Sequence, residues 1–580
     1  MSIQTDVKFI DFLLKYTSGK IDDMPLYHGN DISEFIAAKE SPDVTYTCAG
    51  KKGVSALAVK KLFDRLAADD RINLAGFGMM ADGEVIAQYY KEPYSKDYRH
   101  VSFSMCKSVI SMAVGIAEND GILFLDEKVS DIFTVHDGVF FKRGMKDITI
   151  KNLLTMTSCV SFDEVGSAFA MDWRKAYMSS DISFVSETGF SYNSMNTYML
   201  AAIIVKRTGR SVMDYLKEKL FHPMKIYDIT WDKCPMGIEK GGFGMKLSLI
   251  DMLKLGQLYL NNGMWIVDGE EKQLVPKAWV EESTQIHVRL GRDIIAGYGY
   301  QIWLLTDGSF LYNGVFGQNV YVNRDRGIVI ATTASAYDIF PDGKIVNLLS
   351  EFADCDDNFK PDIINLVPCL EKKAIVNKCM KKLWDMSPFD MNRFRQYFGT
   401  HFGTEYKFDE YAGSVLPISI QCIYSVYQTG IKSVMLGFKE DHLYFRVCED
   451  DVIYNIRLGY KKGELYAYQI LEIKGKSFPI AAGAHVAFDE DNRPLIKIKI
   501  MYLEEVGIMS FKLIFHGDKL VLKALELPRL YTVGGKLSKE EYIKKKNNKV
   551  PIRNLFETPE YMKYKLKKVL EPVVTGKADL

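Results

Sequence analysis

The sequence predicts an α+β protein with more than one domain. Its 580 residues exceed the roughly 100–200 residues of a typical domain, so we expect two or three domains. Residues 54–360 alternate helical stretches with short apolar strands, a pattern typical of helices flanking an antiparallel sheet. From about 397 to 532, short strands recur with turn signals between them, which indicates an antiparallel barrel or sandwich.

Apolar periodicity and turn residues define the elements of the first half. Helices are predicted over three stretches with apolar residues at helical spacing: 55–66, 107–122 and 248–260. Residues 72–90 predict a hairpin that turns at Ala81-Asp82-Gly83. The later elements are strands over 298–305, 310–312, 319–323 and 327–333, and a helix over about 342–352.

These patterns divide the chain into four parts. We expect a first domain over 1–355, a linker with a helix over 356–395, a strand-rich domain over 396–535 and a tail over 536–580. The tail holds twelve Lys and Arg residues against six Asp and Glu residues. It is therefore basic, and we expect it to be partly helical and solvated, with an anionic partner as the alternative.

Composition excludes several classes of protein. Apolar residues make up 47% of the chain and charged residues 26%, which excludes a disordered, collagenous or coiled-coil chain. The 74 basic residues balance 74 acidic residues, whereas a protein that binds nucleic acid usually has a basic excess. We therefore expect no nucleic acid as a partner, and a homo-oligomer stays open.

The N-terminus and the cysteines indicate a cytoplasmic location. Asp6 and Asp11 interrupt the apolar run of a signal peptide, and no stretch of about 18 apolar residues predicts a membrane span. We therefore expect no membrane partner. The nine cysteines are scattered and odd in number, so reduced thiols are expected. Neither these cysteines nor the nine histidines have zinc-ligand spacing, and we expect no metal and no cofactor.

The strongest chemical signal is Ser104-Met105-Cys106-Lys107. Helix positions three apart share a face, so the Lys107 amine can lie beside the Ser104 hydroxyl. A serine nucleophile needs a base, and a lysine in a dry pocket can supply it because desolvation disfavours its charged form. The alternative is a pair of surface residues, since such a tetrad arises by chance about once or twice in a chain this long. The apolar helix that follows favours the buried interpretation.

Two further segments could complete the site. A tyrosine can exchange a proton with a lysine, so Tyr192 is a candidate catalytic residue. Ser194 and Asn196 could hydrogen-bond the lysine or the substrate. Gly314 permits close approach of the backbone, where an N–H group could help to form an oxyanion hole. Each segment alone also fits a structural role, as an aromatic packed at the start of a helix or as a glycine bend in a strand.

Together these segments resemble the serine β-lactamase and penicillin-binding-protein superfamily. The resemblance lies on its class C-like branch, near 6-aminohexanoate-dimer hydrolase and class C-type esterases, and it covers roughly residues 60–350. It rests on the order of several boxes: Ser104–Ser108, Ile148–Ser158, Tyr192–Ser194, Arg207–Ser211, Lys219–Met224 and Asp251–Gly256. The implied fold is a β-lactamase-like α/β sandwich, an antiparallel sheet flanked by helices, with a helical subdomain and the site in the cleft between them.

The resemblance implies a catalytic role for three residues. Ser104 would be the acylated nucleophile, and Lys107 would activate it. Tyr192 would carry the proton to the leaving group and later activate water. Ser194 would take the third position of the tyrosine box.

The resemblance also implies an oxyanion hole. The N–H groups of Ser104 and of Val315, which follows Gly314, would form it, and Gln318 would lie near the substrate. The family's third catalytic motif, which we call the third box, corresponds here to Tyr312-Asn313-Gly314. It departs from the family, because Tyr312 stands where Lys or His is usual. A cationic anchor for a substrate carboxylate is therefore missing, which disfavours β-lactams and cell-wall peptides.

Three other departures leave the Ser/Lys/Tyr set intact. Cys159 and Lys225 stand where the family usually has glycine, and Ser186-Glu187-Thr188 replaces Pro-Gly-Thr. The sequence thus favours a serine hydrolase that forms an acyl-enzyme on a small or medium ester or amide. Two alternatives stay open: a non-catalytic binding or scaffolding protein on this fold, and a penicillin-binding D,D-peptidase or β-lactamase.

Overall fold

Two compact units contain the described residues, with residues up to 366 in the first and residues from 396 in the second. The computed structural model describes residues 44–138, 140–142, 144–167, 170–182, 189–337, 341–353, 364, 366, 396–424, 426–440, 442–460, 464–491, 493–528 and 571–579. The linker predicted over 356–395 lies almost entirely outside these residues.

Helices and strands alternate in the first unit. The helices are α1 (Ala56–Ala68), α2 (Cys106–Asn119), α3 (Val129–Ile132), α4 (Ile150–Leu154), α5 (Glu164–Ser167), α6 (Trp173–Met178), α7 (Ser194–Thr208), α8 (Val212–Leu216), α9 (Leu249–Leu260), α10 (Lys277–Ser283) and α11 (Lys344–Ala353). The strands are β1 (Leu74–Ala81), β2 (Glu84–Tyr90), β3 (His100–Val101), β4 (Thr230–Trp231), β5 (Met245–Leu247), β6 (Met264–Val267), β7 (Glu270–Gln273), β8 (Val288–Arg292), β9 (Ile295–Tyr298), β10 (Trp303–Leu305), β11 (Phe310–Gly314), β12 (Gln318–Asn323) and β13 (Ile328–Ala334).

Eight of these strands form one antiparallel sheet, in the order β2-β1-β13-β12-β11-β10-β9-β8. Successive side chains alternate between two cores. Met80 and Val85 join the core that contains α2, α7 and α9. Met79 and Ile86 join the core that contains α1 and α11. Helices therefore cover both faces of the sheet, which confirms the predicted α+β sandwich.

Two local features bring together the segments that carry the candidate site residues. Strand β3 pairs with β5, where His100 lies opposite Leu247, and this pairing fixes the chain just before the 3-10 helix Phe103–Met105. Helix α2 follows that turn directly and packs against α7. The start of α7 is set by Asn193, whose side chain accepts the Met195 N–H as an N-cap.

The second unit is a barrel-like antiparallel sheet. Its strands are β14 (Glu405–Lys407), β15 (Ile431–Lys439), β16 (His442–Glu449), β17 (Val452–Leu458), β18 (Ala467–Ile473), β19 (Lys476–Phe488), β20 (Pro494–Tyr502), β21 (Ile508–His516), β22 (Lys519–Leu527) and β23 (Val573–Ala578), and its helix is α12 (Ile418–Tyr424). The ten strands run in the order β17-β16-β15-β14-β23-β22-β21-β20-β19-β18. The two edges approach each other, because Gly459 bridges to Gly483 and the Gln469 side chain bonds the N–H and C=O groups of Arg457. The near-closed sheet confirms the predicted antiparallel barrel.

The end of this unit differs from the sequence prediction. The predicted strand domain ended at residue 535 and left 536–580 as a basic tail. Val573–Ala578 is instead strand β23, which lies between β14 and β22. The remainder of the predicted tail, up to residue 570, lies outside the described residues. Across the described residues, no helix is long and apolar enough to span a bilayer.

Candidate active site

Ser104 lies in a tight turn between β3 and α2. The Ser102 N–H and hydroxyl both donate to the Met245 carbonyl, at 2.8 and 2.9 Å. Phe103 has a φ of 46°, in the left-handed region, and its ring packs edge-on against Phe316 at 5.5 Å. These contacts hold the turn in a strained backbone conformation and leave the Ser104 side chain partly exposed at the mouth of α2.

Lys107 is buried, with 1% of its surface exposed. Its Nζ donates to Ser104 Oγ at 2.8 Å, to Ser194 Oγ at 2.8 Å and to the Gly242 carbonyl at 2.7 Å. Burial lowers the pKa of Lys107 to about 8, and the negative charge of Glu164 acts in the opposite direction. At pH 7 about a tenth of the amine is then neutral and able to take a proton.

Tyr192 flanks the same amine. Lys107 Nζ lies 5.0 Å from the centroid of the Tyr192 ring. Tyr192 is 39% exposed as a whole residue, but protein atoms surround its hydroxyl, and this desolvation raises the pKa of Tyr192 above its ordinary value. The Ser104 hydroxyl lies close enough to lower that pKa in part. At neutral pH the tyrosine therefore keeps its proton and can donate it.

Ser194 connects α7 to the amine. It is the first residue of that helix, and its N–H donates to Glu164 Oε1 at 3.2 Å while its hydroxyl accepts from Lys107. A Cβ on Gly242 would lie 2.7 Å from the Ser194 carbonyl oxygen, so glycine permits the close approach that brings the Gly242 carbonyl to Lys107. Neither Glu164 nor Gly242 is predicted from the sequence as part of a site, because neither belongs to a motif of reactive side chains.

Asn196 does not join this group. It is fully buried, and its Oδ1 accepts from the Ser158 and Tyr177 hydroxyls at 2.7 and 2.8 Å. Its Nδ2 lies 3.6 Å from the Met156 sulfur. The residue stabilises the packing of α7 against α6 and the chain around 156–158, and no polar atom remains to contact a substrate.

The third predicted segment is the turn between β11 and β12. Gly314 ends β11, and a Cβ there would lie 2.2 Å from the Ser102 carbonyl, so only glycine allows this strand to reach the turn of Ser104. Val315 follows, partly exposed, at the start of a 3-10 turn. Gln318 is fully buried and its amide is engaged with backbone, donating to the Val315 and Ala334 carbonyls at 3.2 and 2.8 Å. Gln318 therefore holds the turn in place and does not face a substrate.

Four aromatic rings, which we call the aromatic wall, contact one another, and one of them, Tyr192, lies beside Lys107. They are Phe190, Tyr192, Tyr298 and Trp303. Tyr192 stacks on Trp303 at 5.6 Å and 27°, and Phe190 meets Tyr298 and Trp303 edge-on at 5.3 and 6.1 Å. Tyr298 and Trp303 are paired across β9 and β10. The sequence analysis named only Tyr192 of this set, because the other three belong to no motif.

The departures from the family pattern have visible structural effects. Cys159 and Lys225 have φ values of 56° and 55°, in the left-handed region where glycine carries no penalty. Tyr312 is fully buried and packs edge-on against Tyr259 at 5.6 Å, so it supplies an uncharged ring where a cation was expected from the resemblance. Ser186-Glu187-Thr188 lies outside the described residues.

The first unit matches a known protein family. Residues 59–346 match the Beta-lactamase family. This region is a β-lactamase-like domain. The resemblance drawn from the sequence is thereby confirmed, and so is the predicted fold class.

Individual relatives are distant. The 6-aminohexanoate-dimer hydrolase of Paenarthrobacter ureafaciens is 22% identical over 299 residues, which span 45% of this chain and 72% of the relative. A penicillin-binding protein homologue from Caulobacter crescentus is 17% identical, with a TM-score of 0.43, over 54% of this chain and 100% of its own. A D-stereospecific amidohydrolase from Streptomyces is 16% identical, with a TM-score of 0.41, over 52% of this chain and 100% of its own.

The β-lactamase-like domain thus brings together Ser104, Lys107, Tyr192 and Ser194 around one buried amine. No group of three or more His, Cys, Asp or Glu side chains in the described part of the chain is arranged to hold a metal ion. The chemistry that this arrangement offers is proton transfer between a serine, a lysine of lowered pKa and a protonated tyrosine.

Proposed function

We propose that the protein is a serine hydrolase that acts through an acyl-enzyme on a small or medium ester or amide. One observation carries the proposal: the Nζ of buried Lys107 lies 2.8 Å from Ser104 Oγ, with a pKa of about 8. A base of that pKa within hydrogen-bond distance is what a serine nucleophile requires at neutral pH.

The reaction proceeds in two halves. Neutral Lys107 takes the Ser104 proton as Oγ bonds to the carbonyl carbon, and the N–H groups of Ser104 and Val315 stabilise the resulting oxyanion. The bond to the leaving group then breaks, and Tyr192 donates its proton to that group and recovers one from Lys107. In the second half, a water molecule gives up a proton to this pair and attacks the acyl carbon. Ser104 leaves with a proton, and the acid is released.

The alternatives differ in what they require of the site. A D,D-peptidase or β-lactamase acts on substrates that present a carboxylate, and the buried Tyr312 supplies no charge to anchor one. A non-catalytic binding protein requires no base beside Ser104, yet the amine is held there by three hydrogen bonds. A small ester or amide that presents no carboxylate fits both observations.

The test is covalent labelling of the full-length protein. A fluorophosphonate probe should add to the Ser104 peptide, as read by mass spectrometry, and p-nitrophenyl acetate should be hydrolysed with turnover. Ser104→Ala should abolish both the labelling and the turnover while the circular dichroism spectrum is unchanged. Ser108→Ala is the matched control, because the buried Ser108 hydroxyl bonds the Gln301 carbonyl and not the Lys107 amine. A folded protein without an adduct on Ser104 would refute the proposal and favour the non-catalytic alternative.

A further inference from the structure

We propose that this site selects substrates that carry a cationic group near the reacting carbonyl, with Glu164 as the residue that selects them. The inference rests on the proposed function and adds a substrate class to it. It depends on three observations: a carboxylate fixed beside the site, an aromatic surface next to it, and a third box without a cation.

Glu164 is fixed at the site by the main chain of α7. Its Oε1 accepts the Ser194 N–H at 3.2 Å, and Ser194 is the residue whose hydroxyl bonds Lys107. The side chain is exposed, so a substrate can reach the carboxylate. The Glu164 charge acts on both Lys107 and Tyr192. The carboxylate therefore lies within electrostatic range of the reacting groups.

The aromatic wall provides the second half of the site. The quadrupole of a tryptophan or tyrosine ring attracts a cation placed over its face. Tyr192 already has Trp303 and the Lys107 amine against its ring, so the partly exposed Trp303 is the ring that a substrate cation can approach. A carboxylate together with aromatic faces is the combination that favours an alkylammonium group over a neutral or anionic one.

Nearby cations do not reverse this preference. Lys107 is buried, and its amine is already bonded to three oxygen acceptors, the Ser104 and Ser194 hydroxyls and the Gly242 carbonyl. Lys240, which precedes the Gly242 loop, lies 5.3 Å from the Phe243 ring centroid and 4.0 Å from the Asp232 carboxylate. Its charge is thus partly balanced within the protein. The third box contributes the buried ring of Tyr312.

Two matched series of esters test the inference, one with the cation in the acyl group and one with the cation in the leaving group. In the acyl series, p-nitrophenyl 4-(trimethylammonio)butanoate is compared with its neutral isostere, p-nitrophenyl 5,5-dimethylhexanoate, and with the anionic monoester of adipate. In the leaving-group series, acetylthiocholine is compared with 3,3-dimethylbutyl thioacetate. Values of kcat/KM are corrected for spontaneous hydrolysis and measured at low ionic strength.

We expect kcat/KM for the cationic ester to exceed that of its neutral isostere by about five- to tenfold in one of the series, since an exposed charge pair and a cation–π contact are each modest. The anionic ester should be the poorest substrate. Glu164→Gln keeps an acceptor for the Ser194 N–H and removes the charge. It should abolish the preference, which is read as the ratio of kcat/KM for the cationic ester to kcat/KM for its neutral isostere within the same variant.

A control variant is Glu270→Gln, which removes an exposed carboxylate on the β6–β7 hairpin and should retain the preference. Equal rates for charged and neutral esters in both series, with Ser104-dependent hydrolysis of the neutral ester, would overturn this inference and leave the proposed function standing. A preference that persists in Glu164→Gln would also overturn it. No Ser104-dependent hydrolysis of any ester would overturn both.

Discussion

The amine of Lys107 is held by two hydroxyls and one carbonyl, with no carboxylate among its hydrogen-bond partners. A carboxylate in contact would stabilise the ammonium form and raise the pKa. Neutral acceptors stabilise it less, so burial is the larger effect and the pKa falls to about 8. The three acceptors thus orient an amine that loses its proton more readily than an ordinary lysine does.

The first prediction concerns the pH dependence of acylation. Because neutral Lys107 is the reactive form, the second-order rate of labelling by a fluorophosphonate should rise about tenfold per pH unit below pH 8 and become constant above it. Stopped-flow or gel-based labelling over pH 5.5–10 measures this. Lys107→Met should lower the rate at least about a hundredfold at every pH. A midpoint above pH 9.5, near that of an ordinary lysine, would contradict the role assigned to burial.

A second prediction concerns Lys225, whose φ of 55° is left-handed. Lys225→Gly should stabilise the protein by about 0.5–1 kcal/mol relative to Lys225→Ala, because the alanine keeps a Cβ in the strained conformation. Both variants lose the same lysine side chain, so their difference isolates the backbone. Thermal unfolding followed by circular dichroism should give the glycine variant the higher Tm. Equal Tm values would show that the backbone shifts to relieve the strain.

At the scale of elements, the candidate oxyanion turn depends on a residue that does not touch substrate. The turn between β11 and β12 is tied to β13 by Gln318, whose Nε2 donates to the Val315 and Ala334 carbonyls and whose Oε1 accepts the Ala334 N–H. Gly314 lets the same turn approach Ser102. The position of the Val315 N–H is therefore set by strand packing.

The third prediction follows from these bonds. Gln318→Ala should lower the stability of the first unit by about 1–3 kcal/mol, because buried backbone groups lose their partners. It should also slow acylation while the pH midpoint stays near 8, since Lys107 is untouched. Gln273→Ala is the matched control, because Gln273 also bonds two backbone carbonyls, but on the β6–β7 hairpin. A shifted pH midpoint in Gln318→Ala would instead indicate a disturbance at Lys107.

Helix geometry explains which site residues could be predicted from the sequence. The order of the boxes predicted Ser104, Lys107, Tyr192 and Ser194 as one group, and in the structure these residues lie around the Lys107 amine. Residues two apart on a helix point in different directions, so when Ser194 faces Lys107, Asn196 faces the core. That orientation depends on where α7 begins, and the structure fixes the start of the helix through the N-cap at Asn193.

At the scale of the whole molecule, the two units have separate cores. Sequence patterns predicted both fold types, since helix and strand periodicity are local. They did not predict β23, because Val573–Ala578 lies in a basic segment and its partner β14 lies about 170 residues earlier. They also gave no sign of Glu164, since its role depends on the position of α7 and not on a motif.

A fourth prediction tests the place of β23. Deleting residues 571–580 should destabilise the second unit, because the strand between β14 and β22 is removed together with the buried Val574. Limited proteolysis with mass spectrometry should show faster cleavage within 396–528. Labelling at Ser104 should persist, since the described contacts of β23 lie within its own sheet. Wild-type resistance to proteolysis in the deletion variant would contradict the sheet order.

The pairing of β14 with β23 also has a consequence for synthesis. A nascent chain can assemble the eight-stranded sheet of β1, β2 and β8–β13 from residues already outside the ribosome. In the barrel, β14 and β22 gain the strand that lies between them only after residue 578 has been synthesised. Such long-range pairing slows folding and leaves strand edges open during the delay. Translation speed and chaperone supply should therefore influence the yield of the second unit more than that of the first.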